Sequence, residues 1–218
     1  MRISFLILNY NRGSFLDRAI RSCLNQYIFG FEREIIVVDD NSTDDSLEVL
    51  AKYGKNIKVL TNTENMGVGY GSKLALENST GDYFIRVDSD DYLSPISSSV
   101  LFTTLQAKPQ FSFAYADHYR VDENENKIEL VNLSDQEKLL KHGAGVLFKT
   151  EDVISIGGYN EKLRHAEDTE LLMRLIKNGC TGIYIPIPLY RYYIHGENLS
   201  DSPKQDKAQQ KIRSDYGF

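Results

Sequence analysis

Two aspartates separated by a single residue, Asp88 and Asp90 in the run Asp88-Ser89-Asp90-Asp91, are the most chemically suggestive feature of this 218-residue chain. In an extended segment, residues two apart project to the same side, so both carboxylates can offer hard oxygen ligands to magnesium or manganese against phosphate oxygens. A calcium loop of the EF-hand type does not fit. Its sixth and twelfth positions, counted from Asp88, are Leu93 and Ser99 where Gly and Glu are needed, and the segment from Asp122 fails in the same way with Lys127 and Leu133. Two further polar clusters, Asn9-Tyr10-Asn11 and Asp39-Asp40-Asn41-Ser42-Thr43-Asp44, each follow an apolar run. Any one of them also reads as turn or cap chemistry, since Asp and Asn are common there. Asp168 opens a fourth: with Leu171, Leu172 and Leu175 it falls at i, i+3, i+4 and i+7, so an acid heads the inward stripe of a helix. A first-turn acid is kept ionised by the helix dipole and free N–H groups.

These clusters gain force from the elements that must position them. Ile3-Ser4-Phe5-Leu6-Ile7-Leu8 reads as a buried strand, followed by a helix whose apolar positions Phe15, Leu16, Ala19, Ile20, Cys23 and Leu24 keep helical spacing, with Ser14 and Asp17 placed as a capping box. The unit repeats through a strand over 34–39, a helix over 44–53, a strand over 57–60, a helix over 69–78 and a strand over 83–87. Short apolar strands alternating with helices predict an α/β fold with a parallel sheet, where ligands bind at the carboxyl ends of the strands. Asn9, Asp40 and Asp88 all lie at such ends. After about residue 108 the pattern loosens into α+β: a strand over 111–116, a solvated turn over 122–127, a helix over 167–177, and an aromatic segment over 189–194 behind Pro186 and Pro188. The polar stretch from Asn198 is a tail, a surface helix or a lid.

Composition narrows the class. At 41% hydrophobic residues the chain can bury one substantial core, so a single domain over 1–218 is expected. The net charge of -6, with 25 scattered basic residues against 31 acidic, provides no stripe for a nucleic-acid backbone. Cys23 and Cys180 alone, far apart, fit a reducing, cytoplasmic compartment better than a disulfide framework. The apolar stretch 3–8 is too short to span a membrane, which leaves a soluble chain or one attached peripherally at the inner face of a membrane.

Taken in order, Asn9-Tyr10-Asn11, Val38-Asp39-Asp40-Asn41-Ser42, Asn65-Met66-Gly67, Gly81-Asp82-Tyr83, Arg86-Val87-Asp88-Ser89-Asp90-Asp91, Gly157-Gly158-Tyr159-Asn160-Glu161, Glu167-Asp168 and Tyr190-Arg191-Tyr192-Tyr193-Ile194-His195 resemble glycosyltransferase family 2 over about residues 3–200. The resemblance implies a GT-A type fold, with a nucleotide-sugar-binding half over about 1–108, an acceptor-binding half over about 109–200, and 201–218 as tail or lid. It also implies a nucleotide-sugar donor bound through manganese or magnesium, and inverting transfer to a hydroxyl of a glycan, a lipid-linked or another acceptor. Tyr10, Asn11, Asp40, Arg86, Asp88, Ser89 and Asp90 map to the donor site, with Tyr10 against the base, Asp40 accepting from it, Asp88 near ribose and metal, and Asp90 as the direct metal ligand. A buried carboxylate accepting a base N–H points to uracil, hence UDP, or thymine, because an unpaired buried charge costs about 1–3 kcal/mol or more. Asp39 reads instead as a helix-capping or loop-bracing carboxylate. Asp168 maps to the general base and Glu167 to a residue orienting acceptor or loop. His195 maps to a position that in some relatives reaches metal or diphosphate, and imidazole is a competent manganese ligand; His118, His142 and His165 default to surface or core. Arg191 or the 204–211 lysines could neutralise the leaving diphosphate.

One departure stands out. After Asn65-x-Gly67 the family often has Ala and then Asn, where this chain has Gly71 and Lys73; Lys73 is either a contact to base or phosphate or a solvated helix lysine. Two other readings compete. A haloacid dehalogenase type phosphatase also uses aspartates two apart, but on its first strand, which here ends in Asn9-Tyr10-Asn11. A GT-A subunit without catalysis would bind nucleotide only, and the presence of Asp88, Asp90 and Asp168 argues against it.

Overall fold

The computed structural model describes residues 1–196, 198 and 202–217. Its first part is β1 (Arg2–Asn9), α1 (Gly13–Leu24), β2 (Glu32–Asp39), α2 (Ser46–Ala51), β3 (Lys58–Thr61), α3 (Val68–Glu77) and β4 (Tyr83–Asp88). The second part is β5 (Tyr92–Leu93), α4 (Ser97–Ala107), β6 (Phe113–Val121), β7 (Lys127–Val131), α5 (Gln136–Leu139), β8 (Leu147–Lys149), α6 (Thr150–Ser155), α7 (Glu167–Lys177), β9 (Gly182–Tyr193) and α8 (Pro203–Tyr216). One sheet runs β3-β2-β1-β4-β8-β6-β9-β5, with β7 hydrogen-bonded to β6. The β3-β2-β1-β4 portion is parallel throughout, as the alternating strand and helix pattern predicts. Beyond β4 the sheet is mixed: β8 is antiparallel to both β4 and β6, while β6 and β9 are parallel.

The continuous apolar runs of the parallel strands serve both faces. Ile3, Phe5, Ile7, Ile35, Val37, Ile85 and Val87 pack on the face covered by α1 and α4. Their neighbours Leu6, Ile36, Val38 and Phe84 pack on the other face, with α3, α7 and α8. Each fully buried side chain of this kind contributes about 1.5–3 kcal/mol. This two-sided burial requires the parallel strands to be apolar at nearly every position, and it aligns the polar strand ends at one rim.

Three local features differ from the sequence reading or go beyond it. Ser14 and Asp17 form no capping box: no side chain of the N-cap residue bonds the first turn of α1, and Gly13 N donates to Asp44 Oδ2 at 2.8 Å from across the loop. Asp17 instead accepts from Tyr53 Oη at 2.6 Å. Next, α4 had no sequence signal, because its first turn is serine-rich and buries polar side chains, with Ser98 N and Oγ both donating to Gln26 Oε1 at 2.9 Å. Finally, β9 runs straight across Pro186 and Pro188. Its ladder to β6 pairs Ala116 with Ile185 and then His118 with Tyr190, so the prolines fall in an unpaired bulge where no N–H is needed.

The polar C-terminal stretch is a surface helix, apart from Leu199, Ser200, Asp201 and Phe218, which lie outside the described residues. Ser202 caps α8 by accepting from Gln205 N at 3.2 Å, and Pro203 opens it. The helix docks on α7 through buried Ile212 and through Tyr216 Oη, which donates to Glu170 Oε1 at 2.6 Å. No described helix is long and apolar enough to cross a membrane.

Candidate active site

The rim formed by the ends of β1, β2 and β4 opens into a cavity of about 760 Å³. Its donor-side wall is built from the two strand-end loops locked together. Asn9 Nδ2 donates to Asp39 Oδ1 at 2.8 Å, Ser42 Oγ also donates to Asp39 Oδ1 at 2.7 Å, and Thr43 N donates to Asn11 Oδ1 at 2.7 Å. Asp39 is thus the loop brace. Asn11, in the left-handed region at φ 52, clamps the same junction with its side chain while lining the cavity. Tyr10, half-exposed, lines the cavity beside Asp40. Asp40 accepts from Asn62 Nδ2 at 2.7 Å and from the backbone N–H of Met66 and Gly67, each at 2.8 Å. A carboxylate offers about four acceptor positions, so one remains for a ligand donor.

At the end of β4 the acidic run is anchored residue by residue. Asp91, 1% exposed, accepts from Tyr190 Oη at 2.9 Å and from Tyr193 N at 2.8 Å, which ties the run to β9. Burial pushes the Asp91 carboxyl well above its ordinary range, and burial likewise raises Asp88, to about 6, against the pull of Arg86. Ser89 is buried and lines the cavity. Asp90 Oδ2 lies 2.9 Å from His195 Nε2 and 3.6 Å from Arg12 Nε. The His195 ring is aimed by stacking against Phe15 and Tyr193, at 5.1 and 5.3 Å between centroids, and its turn is pinned by Asn198, whose Oδ1 accepts His195 N at 2.8 Å.

Arg86, expected among the donor contacts, lines the cavity and is the hub of its ion pairs. Only 5% exposed, its guanidinium turns inward to pair with Asp88 Oδ1 at 3.1 Å, Glu167 Oε1 at 2.5 Å and Asp168 Oδ2. Glu167 and Asp168 arrive at the start of α7 through Ala166, a buried non-glycine residue in the left-handed region at φ 58. Ala166 N donates to Gln205 Oε1 of α8 at 3.1 Å, so the C-terminal helix holds this turn. Asp168 Oδ1 has no hydrogen-bond partner among the described residues. Burial raises the Asp168 carboxyl well above the usual range, with Arg86 pulling it back.

Gly143 makes room for this acid, since a Cβ there would stand 2.1 Å from Asp168 Cβ. Gly143→Ala is therefore expected to displace Asp168 and lower kcat by about a hundredfold with donor affinity kept; a measured kcat within twofold of wild type would show that Asp168 placement is uncritical.

Two sequence candidates lie elsewhere. Lys73 pairs with Glu161 Oε2 at 2.5 Å and Glu77 at 4.0 Å on α3 and lines no part of the cavity, because the two carboxylates beside it are nearer counter-charges than any bound ligand would be. Arg191 donates to the carbonyls of Pro188 and Tyr190 and sits 5.0 Å from the Tyr119 ring, also away from the cavity. The site also holds residues that the sequence did not single out. Arg12 directly follows the first polar cluster, which is the signal that could have found it. Arg18 had none: its guanidinium lies 4.6 Å from the rings of both Tyr92 and Tyr193 while Nη2 donates to Asp90 O at 2.9 Å. Arg164, which also lines the cavity, donates to Asn65 Oδ1 and O.

Among the described residues no three His, Cys, Asp or Glu side chains converge to cage a metal unaided. The donors nonetheless suit a divalent cation that takes one or two carboxylates and completes its shell with substrate phosphates and water. Asp90 and His195 present two ligand atoms side by side, and Asp88, Asp90, Asp91, Glu167 and Asp168 crowd negative charge that Arg86 and Arg12 only partly offset.

Comparison with known proteins places this geometry. The family model described as glycosyl transferase family 2 matches residues 4–179. Chondroitin synthase of Pasteurella multocida is 28% identical over 207 residues, covering 91% of this chain but 21% of the synthase, so the chain spans about a fifth of that relative's length. S. aureus TarS 1–349 in complex with UDP-GlcNAc superposes with TM-score 0.81 at 21% identity, covering 99% of this chain and 65% of that one. Mannosyltransferase PcManGT from Pyrobaculum calidifontis, in complex with GDP-Man and Mn2+, does so with TM-score 0.73 at 16% identity, covering 99% and 70%.

Proposed function

Because the chain belongs to glycosyl transferase family 2, we propose that it is a metal-dependent inverting transferase moving a sugar from a UDP-linked donor to a hydroxyl of a glycan. The observation that carries this reading is the joining, through Arg86, of the Asp88 end of the acidic run to Asp168 within one cavity. That arrangement supports a diphosphate-metal locus and a general base serving one bound sugar. A GT-A fold shared with a UDP-GlcNAc complex and with a manganese complex supports the donor class and the metal.

The residues divide the work. Tyr10 packs on the base and the remaining acceptor position of Asp40 takes its N–H, which fits uracil or thymine. Asp90 and His195 would hold the metal, with Asp88 beside the ribose. When bound, the divalent ion neutralises the departing diphosphate. Arg12, 3.6 Å from Asp90, adds a second positive charge there, in the role that Arg191 does not fill. Asp168 Oδ1 accepts the proton of the acceptor hydroxyl as that oxygen attacks the anomeric carbon from the face opposite the diphosphate. Glu167 fixes Arg86, and through it the second oxygen of Asp168, so that the base presents a single edge. Residues 1–108 supply the donor wall and 109–200 most of the acceptor wall. Both cysteines are free, which supports a reducing, cytoplasmic setting. Family membership sets aside the phosphatase reading, and a base held in place by its own ion pair argues against an inactive subunit.

A thermal-shift assay with UDP and manganese tests this directly. Ligand at about a hundred times Kd stabilises by about 2.7 kcal/mol, or about 5–10 °C for a chain of this size. The wild type is expected to show that shift, and both chelator and Asp90→Asn to remove it. A shift indifferent to chelator would remove the metal from the mechanism.

A further inference from the structure

The cavity is also lined by two lysines whose side chains have no partner among the described residues. Lys141, between α5 and β8, and Lys204, in the first turn of α8, are exposed and line the cavity. Among the described residues, neither side chain has an ion-pair or hydrogen-bond partner. Their placement next to the general base follows from the chain. Lys141 is two residues from Gly143, which abuts Asp168, and Lys204 precedes Gln205, which holds Ala166 N two residues before Asp168.

Among the described residues, none of the cavity carboxylates pairs with these lysines. Asp88, Glu167 and Asp168 are met by Arg86, and Asp90 is met by Arg12 and His195. The diphosphate locus lies with Asp90 and Arg12, not with the segment around Asp168. In a chain of net charge -6, two ammonium groups without a partner among the described residues line the same cavity as Asp168. A neutral sugar would need only hydrogen-bonding groups there, such as Gln205, Gln209 and Tyr192, which line the same wall. Lysine ammonium groups add recognition of carboxylate or phosphate. We propose that the acceptor is an anionic glycan, one bearing carboxylate or phosphate groups, whose charge is read by Lys141 and Lys204. This rests on the transferase reading above.

Calorimetry on the full chain in UDP and manganese separates the two. Three probes are compared: an oligogalacturonate, an oligo(glycerol phosphate) and neutral maltohexaose. At least one anionic oligomer is expected to bind about tenfold tighter than maltohexaose, with added salt weakening it; which of the two prevails identifies the charged group. Lys141→Gln/Lys204→Gln is expected to remove that advantage while UDP affinity and Tm stay at wild-type values. Lys52→Gln/Lys55→Gln, on an exposed stretch away from the cavity, should leave it intact. Equal binding of charged and neutral oligomers, binding of none, or equal losses in both double variants would overturn the proposal. So would a loss in the 141/204 variant that falls on UDP alone, assigning the lysines to the diphosphate. Failure of the wild type to bind UDP would instead strike the transferase reading.

Discussion

Asp168→Asn is expected to lower kcat by about 10²- to 10⁴-fold while leaving UDP affinity within about twofold, the loss typical of removing a general base. The substitution keeps side-chain volume and still offers an oxygen to Arg86, so the ion-pair cluster loses a charge but not its shape. What disappears is the proton acceptor at the atom corresponding to Oδ1, the one oxygen of this acid without a protein partner among the described residues. The proposed donor contacts, Tyr10, Asn11 and Asp40, stand at the ends of β1 and β2, on different elements, which is why donor binding should survive. Steady-state kinetics with titrated UDP binding checks both halves. A variant that kept wild-type kcat would move the base elsewhere in the cavity, and one that lost UDP binding in parallel would show Asp168 to be a scaffold for the donor.

Arg86→Met should cost about 3–5 kcal/mol of stability, the penalty for leaving a buried ion-pair partner uncompensated, and should abolish transfer as well. Three carboxylates depend on this guanidinium, and the side chains of Arg86 and Glu167 are only 5% and 6% exposed. Methionine fills similar volume, so packing loss is small and the effect isolates charge. At about 2–4 °C per kcal/mol the Tm should fall by about 6–20 °C. Arg86→Lys should do better but not restore the wild type, since a point charge cannot fork to three carboxylates. The decisive comparison is a double-mutant cycle with Glu167→Gln: if the ion pair is the cause, removing one orphaned carboxylate should recover part of the Arg86→Met loss. Strictly additive effects would show that Arg86 acts through packing instead.

Much of the site was legible because its residues sit at strand ends, and strand ends on a parallel sheet converge. Reading Ile3–Leu8, the 34–39 run and the 83–87 run as parallel strands was enough to bring Asn9, Asp40 and Asp88 to one rim, and in the strand register Leu8 stands opposite both Val38 and Asp88. The helix over 167–177 was equally visible, because Leu171, Leu172 and Leu175 repeat at helical spacing and are fully buried. Individual side-chain roles were harder. Lys73 on α3 was a candidate phosphate contact until Glu161, 88 residues further along the chain, proved to be its partner. Arg86 was one polar residue in an apolar strand, and nothing local indicates that it turns toward α7 and not toward the donor. No spacing pattern marks the 143–145 segment as functional, although Gly143 leaves the space in which Asp168 stands.

The sequence by itself determined the α/β class, the rim at which polar residues gather and the family to which the chain belongs, because periodicity and ordered motifs are local properties of the chain. Tertiary structure alone decided which charges meet. Arg86 and Asp168 are 82 positions apart and Asp90 and His195 are 105 apart, and a charge chooses its partner by distance and burial in the folded state, neither of which spacing along the chain encodes.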